Sequence, residues 1–184
     1  SLSFERSGLI FLPESFKEGA ETEDGTEIPV QQTGDGLLGL VRVPACGAVS
    51  LKPKSVQPHN TVSARAEGSE IILENEVIRA VINGRGEVTS FIEKQSKREF
   101  AAGPMNRLLM FKDVPRKFDA WDIDSNYIFQ PVFLDEPASV TIREAGGLRA
   151  VIHMERRIQN SFFEQDIILT SGSRRLDFVT HVDW

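Results

Sequence analysis

Three residues within four positions, Asp119, Trp121 and Asp122, with Asp124 just beyond, form the group in this chain whose types and spacing could most readily do chemistry. In extended backbone alternate side chains point to opposite faces, so Asp119 and Trp121 share one side and Asp122 and Asp124 the other. An indole beside a carboxylate suits a sugar, whose apolar C–H face stacks on the ring while its hydroxyls donate to the acid. Two carboxyls could also make a glycosidase pair if they stand roughly 5–9 Å apart, a separation that chain spacing leaves open. The competing reading buries Trp121 in a core and leaves the acids to cap backbone amides or face water. Asp119, Trp121 and Asp122 are therefore the substrate-binding candidates.

Other chemistries find little support. Asp122, Asp124 and Asn126 begin like a calcium loop, but Tyr127 stands where the loop needs glycine and Phe133 where it needs glutamate. His59, His153 and His181 are isolated, with no HxH, HxD or HExxH spacing, so no metal ligand is expected from this chain. Gly84-Arg85-Gly86 leads into a strand pattern, unlike a dinucleotide loop, and no G-x-S-x-G occurs. Cys46 is the only cysteine, which excludes an internal disulfide, a zinc ribbon and a CxxC pair and suggests a reducing, cytoplasmic setting. The net charge of -6, without a long basic tract, argues against nucleic acid. No apolar run nears the ~20 residues of a membrane helix.

The elements that must position the candidate group all read as strands. Residues 1–12 run apolar into Pro13; Glu27 to Gln32 and Leu37 to Val43 follow, and Ala48 to Leu51 completes a small β-unit before the prolines at 53 and 58. A second unit opens near Val62. Ser69 to Leu73 and Glu76 to Ile82 are predicted strands broken at Glu74-Asn75, with Ile78, Ala80 and Ile82 on one face. Asn83-Gly84 is expected to supply positive φ for a tight hairpin into a strand over Glu87 to Lys94. Tyr127 to Leu134 is read as a strand. Ser139 to Ala145 is expected to turn through Gly146-Gly147 into a long strand, Leu148 to Ile158, with Leu148, Ala150, Ile152 and Met154 facing a core. Phe162 to Thr170 and Leu176 to Trp184 complete the series. No window carries a capped helical period, so the chain is all-β, an antiparallel β-sandwich preceded by a small β-unit, with domains at 1–60 and 61–184.

The motifs around the candidate group carry a family resemblance. Leu73-Glu74-Asn75 with Arg79, Gly84 or Gly86 with Phe91-Ile92, Lys94 with Arg98-Glu99, Asn106-Leu108-Phe111-Asp113-Pro115 and Asp119-Ala120-Trp121-Asp122 together resemble the β-rich carboxy-terminal region of glycoside hydrolase family 38 α-mannosidases, in its bacterial and cytosolic branch. Ser1-Leu2-Ser3-Phe4 with Arg6 and Val43-Pro44 to Gly47 extend the likeness loosely toward the amino end; it is tight over 70–125 and weakens after Gln130. The resemblance implies a galactose mutarotase-like supersandwich, incomplete at this length. It implies a retaining parent enzyme that uses a divalent metal, usually zinc, an aspartate nucleophile and a second acid. In the family those groups belong to an amino-terminal α/β domain absent from this chain, so no catalytic residue and no cofactor is assigned here. The implied partners are the parent's catalytic and helical domains and, in the intact enzyme, mannosides; a stand-alone carbohydrate-binding sandwich is the alternative. The chain opens on Ser1 and closes on Trp184 within a strand pattern, so cut ends and an open sheet edge prone to self-association are expected.

Overall fold

The computed structural model describes residues 2–58, 60–117 and 123–184. Six strands form the first unit: β1 (Arg6–Leu12), β2 (Ala20–Thr22), β3 (Glu27–Ile28), β4 (Val30–Thr33), β5 (Gly36–Val43) and β6 (Leu51–Pro53). They make two three-stranded sheets, ordered β1-β5-β4 and β3-β2-β6. Ala20, Ile28 and Val41 are buried between them, with Phe16, Val43 and Leu51 packed alongside. The predicted strand at Glu27 to Gln32 is split by Pro29, which lacks the N–H a ladder needs. The return strand is Leu51–Pro53 instead of Ala48 to Leu51, and its partner, β2, is only three residues long.

The second unit contains β7 (Val62–Glu67), β8 (Glu70–Asn75), β9 (Ile78–Ile82), β10 (Val88–Glu93), β11 (Arg98–Glu99), β12 (Met110–Phe111), β13 (Pro131–Val132), β14 (Ala138–Glu144), β15 (Gly146–Gly147), β16 (Arg149–Ile158), β17 (Ser161–Thr170) and β18 (Asp177–Asp183). A six-stranded sheet, β11-β10-β9-β8-β7-β15, faces a four-stranded one, β14-β16-β17-β18. Their inner rows meet in one core: Val62, Ala64, Ile71, Leu73, Ile78, Ala80, Ile82 and Val88 from the first, Ala150, Ile152, Ile167 and Leu169 from the second. Period-two alternation puts these residues on one side of each strand, and burying them drives the layers together. All pairings between the named strands are antiparallel. The chain is thus the expected all-β antiparallel sandwich with a small β-unit ahead of it.

Several local expectations are corrected. Gly146-Gly147 is no hairpin turn: after β14 the chain crosses to the other layer, pairs there with Val62 and Ser63, and returns as β16. At Gly146, φ is +139° and an added Cβ would overlap the Val62 carbonyl oxygen, so only glycine permits the crossing. In the hairpin after β9 the positive φ falls on Gly86 (+78°), not on Asn83 or Gly84. Asn83 instead shapes that turn by accepting hydrogen bonds from the backbone N–H of Arg85 (2.9 Å) and Glu87 (3.0 Å). Glu74-Asn75 ends β8 and does not interrupt it. Tyr127 to Leu134 is mostly not strand. Residues Ser125–Phe129 form a 3-10 turn and only Pro131–Val132 joins a ladder, because Phe129 and Phe133 are 79% and 78% exposed and no facing layer collects them.

One side chain fastens the first unit to the sandwich. Gln31 Oε1 accepts from the backbone N–H of Leu148 (2.7 Å) and Arg149 (2.7 Å), while its Nε2 donates to the Arg149 carbonyl (2.9 Å). Arg149 also pairs with Glu144, which raises the guanidinium pKa, and lies 3.7 Å from Asp35 of the first unit.

Candidate functional site

Asp119, Trp121 and Asp122 lie outside the described residues, together with Phe118, Ala120, Ser1 and His59. The structure describes how the stretch that carries them is rooted. Asn106 opens it in the left-handed region, φ +57°, which asparagine tolerates better than most residues. Its Nδ2 donates to the Gly86 carbonyl (2.9 Å) and to Gln165 Oε1 (2.7 Å), and Gln165 Nε2 donates to Thr180 Oγ1 (2.9 Å). The stretch is therefore pinned to both layers at its first residue.

Beyond Asn106, β12 pairs with β13, and Lys112 N donates to the Gln130 carbonyl (2.9 Å). This narrow ribbon closes the excursion over 112–130. Phe111 meets Tyr127 edge to face, ring centroids 5.2 Å apart. Arg116 and Asp124 then clasp the tip: the Arg116 N–H donates to Asp124 Oδ2 (2.8 Å) and its Nη2 to Oδ1 (3.1 Å). The clasp lowers the Asp124 pKa and raises that of Arg116, in both cases through the hydrogen bonds between them. Asp124 is thereby occupied by Arg116, which removes it from the acids free to meet a ligand. Sequence spacing did not reveal this pairing, since it spans a non-helical loop.

His153, isolated in sequence, has charged neighbours in space. On the outer face of the four-stranded sheet, register sets His153 opposite Asp166 and Glu155 opposite Glu164. Its Nδ1 lies 2.6 Å from Asp166 and its Nε2 2.9 Å from Glu155, while Arg143 Nη1 donates to Asp166 (2.6 Å). Burial of the ring disfavours its charged form, but hydrogen bonds to Asp166 and Glu155 outweigh that burial and the repulsion of Arg143, raising the pKa above 6.5. Arg143 Nη2 also lies 2.8 Å from His153 Nδ1, so the ring sits in a network of two carboxylates and a guanidinium. Among the described residues, His153, Glu155 and Glu164 are the set of potential metal ligands whose donor atoms lie within 4.8 Å of one another. The divalent metal that the resemblance implies belongs to another domain of the parent, and hydrogen bonding within the set and to Asp166 accounts for these side chains, so no chemical step is assigned to them.

Exposed apolar side chains gather around the excursion: Leu109, Val114, Ile123, Ile128, Phe129 and Phe133. All six fall within residues 109–133, so large exposed apolar side chains are concentrated in and beside this stretch of the chain.

The sequence model of the glycosyl hydrolases family 38 C-terminal domain matches residues 73–184. Over nearly the whole chain, 98% of it, the sequence is 28% identical to alpha-mannosidase G of Dictyostelium discoideum, covering 18% of that protein. It is 32% identical to alpha-mannosidase 2C1 of Homo sapiens over 82% of the chain and 15% of that protein, and equally to the Mus musculus form. The chain thus spans less than a fifth of the length of the curated relatives it matches. With an antiparallel sandwich across the matched residues, the chain belongs to glycosyl hydrolase family 38, residues 73–184 being matched by its C-terminal domain.

Proposed function

We propose that this chain is the non-catalytic C-terminal β-domain of an α-mannosidase, a scaffold whose 106–124 stretch forms part of the wall of the parent's substrate cleft. The family match carries the reading. The run of exposed large apolar residues between 109 and 133 supports it, because side chains of that kind are ones that another domain of the same protein can cover. Asp119, Trp121 and Asp122 are then the residues presented toward sugar, with Trp121 as a stacking platform and the acids as hydrogen-bond acceptors. The hydrolytic groups and their divalent metal, zinc, belong to the rest of the parent, and the domain works in the cytoplasm, as the exposed, unpaired Cys46 suggests.

The test has two arms. The 184-residue chain incubated with an aryl α-mannoside and zinc should show no turnover above buffer; clear turnover would sink the non-catalytic reading, since glycosidase-level acceleration of ~10⁶-fold or more needs a complete site. In the intact parent enzyme, Trp121→Ala should raise KM by about tenfold or more with folding unchanged, the size of a lost stacking contact. Unaltered kinetics would return the stretch to scaffold alone. Fractionation that places the parent in a secretory compartment would overturn the cytoplasmic assignment.

A further inference from the structure

Arg156 stands where the fold calls for an apolar side chain. In β16 the inward row runs Ala150, Ile152, Met154, Arg156, Ile158, and Arg156 is 6% exposed, within a row otherwise made of core residues. Its Nη2 donates to the carbonyls of Leu134 (3.2 Å) and Glu136 (2.9 Å). Its buried Nε has no hydrogen-bond partner, and no carboxylate of a described residue lies within ion-pair distance. A buried cation without a counter-charge is costly, and a buried N–H without an acceptor adds to that cost.

The same residue lines a cavity of about 280 Å³ under the β12–β13 ribbon, close to the lower end of the ~300–1,000 Å³ typical of small-molecule sites. Arg85 and Arg107 line it too, against Glu87 and Asp135, so positive charge exceeds negative around it. Arg85 is also held toward the floor, its Nη2 3.4 Å from the Leu134 carbonyl. Leu108 and Met110 close the apolar side.

We propose that this cavity is a binding site for a small oxyanion, a carboxylate or phosphate group, with Arg156 as its buried anchor and Arg107 and Arg85 at the mouth. Guanidinium forks match such groups in shape and charge, and the low-dielectric setting of Arg156 strengthens the pairing. The anion would supply the counter-charge that the described protein atoms do not. This inference stands apart from the proposed function, since it rests on Arg156 and the cavity alone.

Isothermal calorimetry on the 184-residue chain tests it, with inorganic phosphate in one arm, acetate in another and chloride at matched ionic strength as the control. Saturable binding of phosphate or acetate, absent with chloride, is expected, and the stronger of the two identifies the preferred group. Arg107→Gln, an exposed change that leaves the core intact, should weaken binding about tenfold, and Arg156→Leu should abolish it while the circular dichroism spectrum stays native. Absence of saturable binding by either oxyanion overturns the proposal. So does binding that persists in Arg156→Leu, and so does an Arg107→Gln variant with unchanged affinity.

Discussion

Replacing Asn75 by alanine should be among the most damaging single changes in this domain, and the structure sets its size. Asn75 is 2% exposed and uses its whole hydrogen-bonding capacity. Its Oδ1 accepts from the N–H of Val77 (2.9 Å) and Ile78 (2.8 Å), holding the turn between β8 and β9. Its Nδ2 donates to the carbonyls of Thr170 and Ser173, both at 2.9 Å, which ties that turn to the end of β17 in the opposite layer. Alanine strands four backbone groups in a region from which water is excluded. At about 1 kcal/mol for each partner left unsatisfied, partly relieved by water entering the vacated space, the loss is about 3–4 kcal/mol. For a chain of this length that lowers Tm by roughly 10 °C. Equilibrium urea unfolding followed by circular dichroism would measure it, with Asn75→Asp as a second variant. Aspartate restores the two acceptor contacts but turns a carboxylate toward the Thr170 and Ser173 carbonyls, so it should be at least as destabilising at neutral pH. A loss below about 1 kcal/mol for Asn75→Ala, or an Asn75→Asp variant as stable as the native chain, would refute the cross-layer tie.

Gly146→Ala should cost about 2–4 kcal/mol in the same assay, because a Cβ there meets the Val62 backbone at an unfavourable φ, whereas Gly103→Ala, with open space around it, should be neutral. Gln31→Ala removes the bonds to Leu148 and Arg149 and should speed proteolytic cleavage between residues 54 and 61 several-fold while shifting sandwich unfolding by no more than about 1–2 kcal/mol. The raised pKa of His153 gives a stabilising contribution fully present below about pH 6.5 and lost as pH rises through the higher folded value. Unfolding free energy should therefore decline on going from mildly acidic to mildly alkaline pH, and His153→Gln should flatten that slope; an NMR titration of the imidazole below about 6.5 would contradict it.

The sandwich core was legible in the sequence because burial leaves a period-two signature. Leu148, Ala150, Ile152 and Met154, and Ile78, Ala80 and Ile82, are buried as the alternation requires. Short elements and crossings left no such mark. β2 has three residues and a partner some thirty positions away, and Gly146-Gly147 looks like a turn until the pairing with β7 is known. Tyr127 to Leu134 shows strand propensity without a face to bury, and propensity without packing does not make a strand. At the candidate site, spacing gave no sign of the clasp of Arg116 on Asp124, which spans a non-helical loop, and the buried cation in the β16 row left no mark because Arg156 reads as one more polar residue beside Arg157.

The ribbon of β12 and β13 makes the excursion a cassette. With Lys112 and Gln130 joined by a backbone hydrogen bond, both ends of the intervening segment are fixed side by side before anything at its tip is decided. Lengthening or recoding that segment then adds only a slowly growing closure entropy, about 0.6 kcal/mol per doubling, and leaves the sandwich ladders untouched. Grafting between relatives is therefore best cut at Lys112 and Gln130, where the recipient scaffold already brings the splice points together.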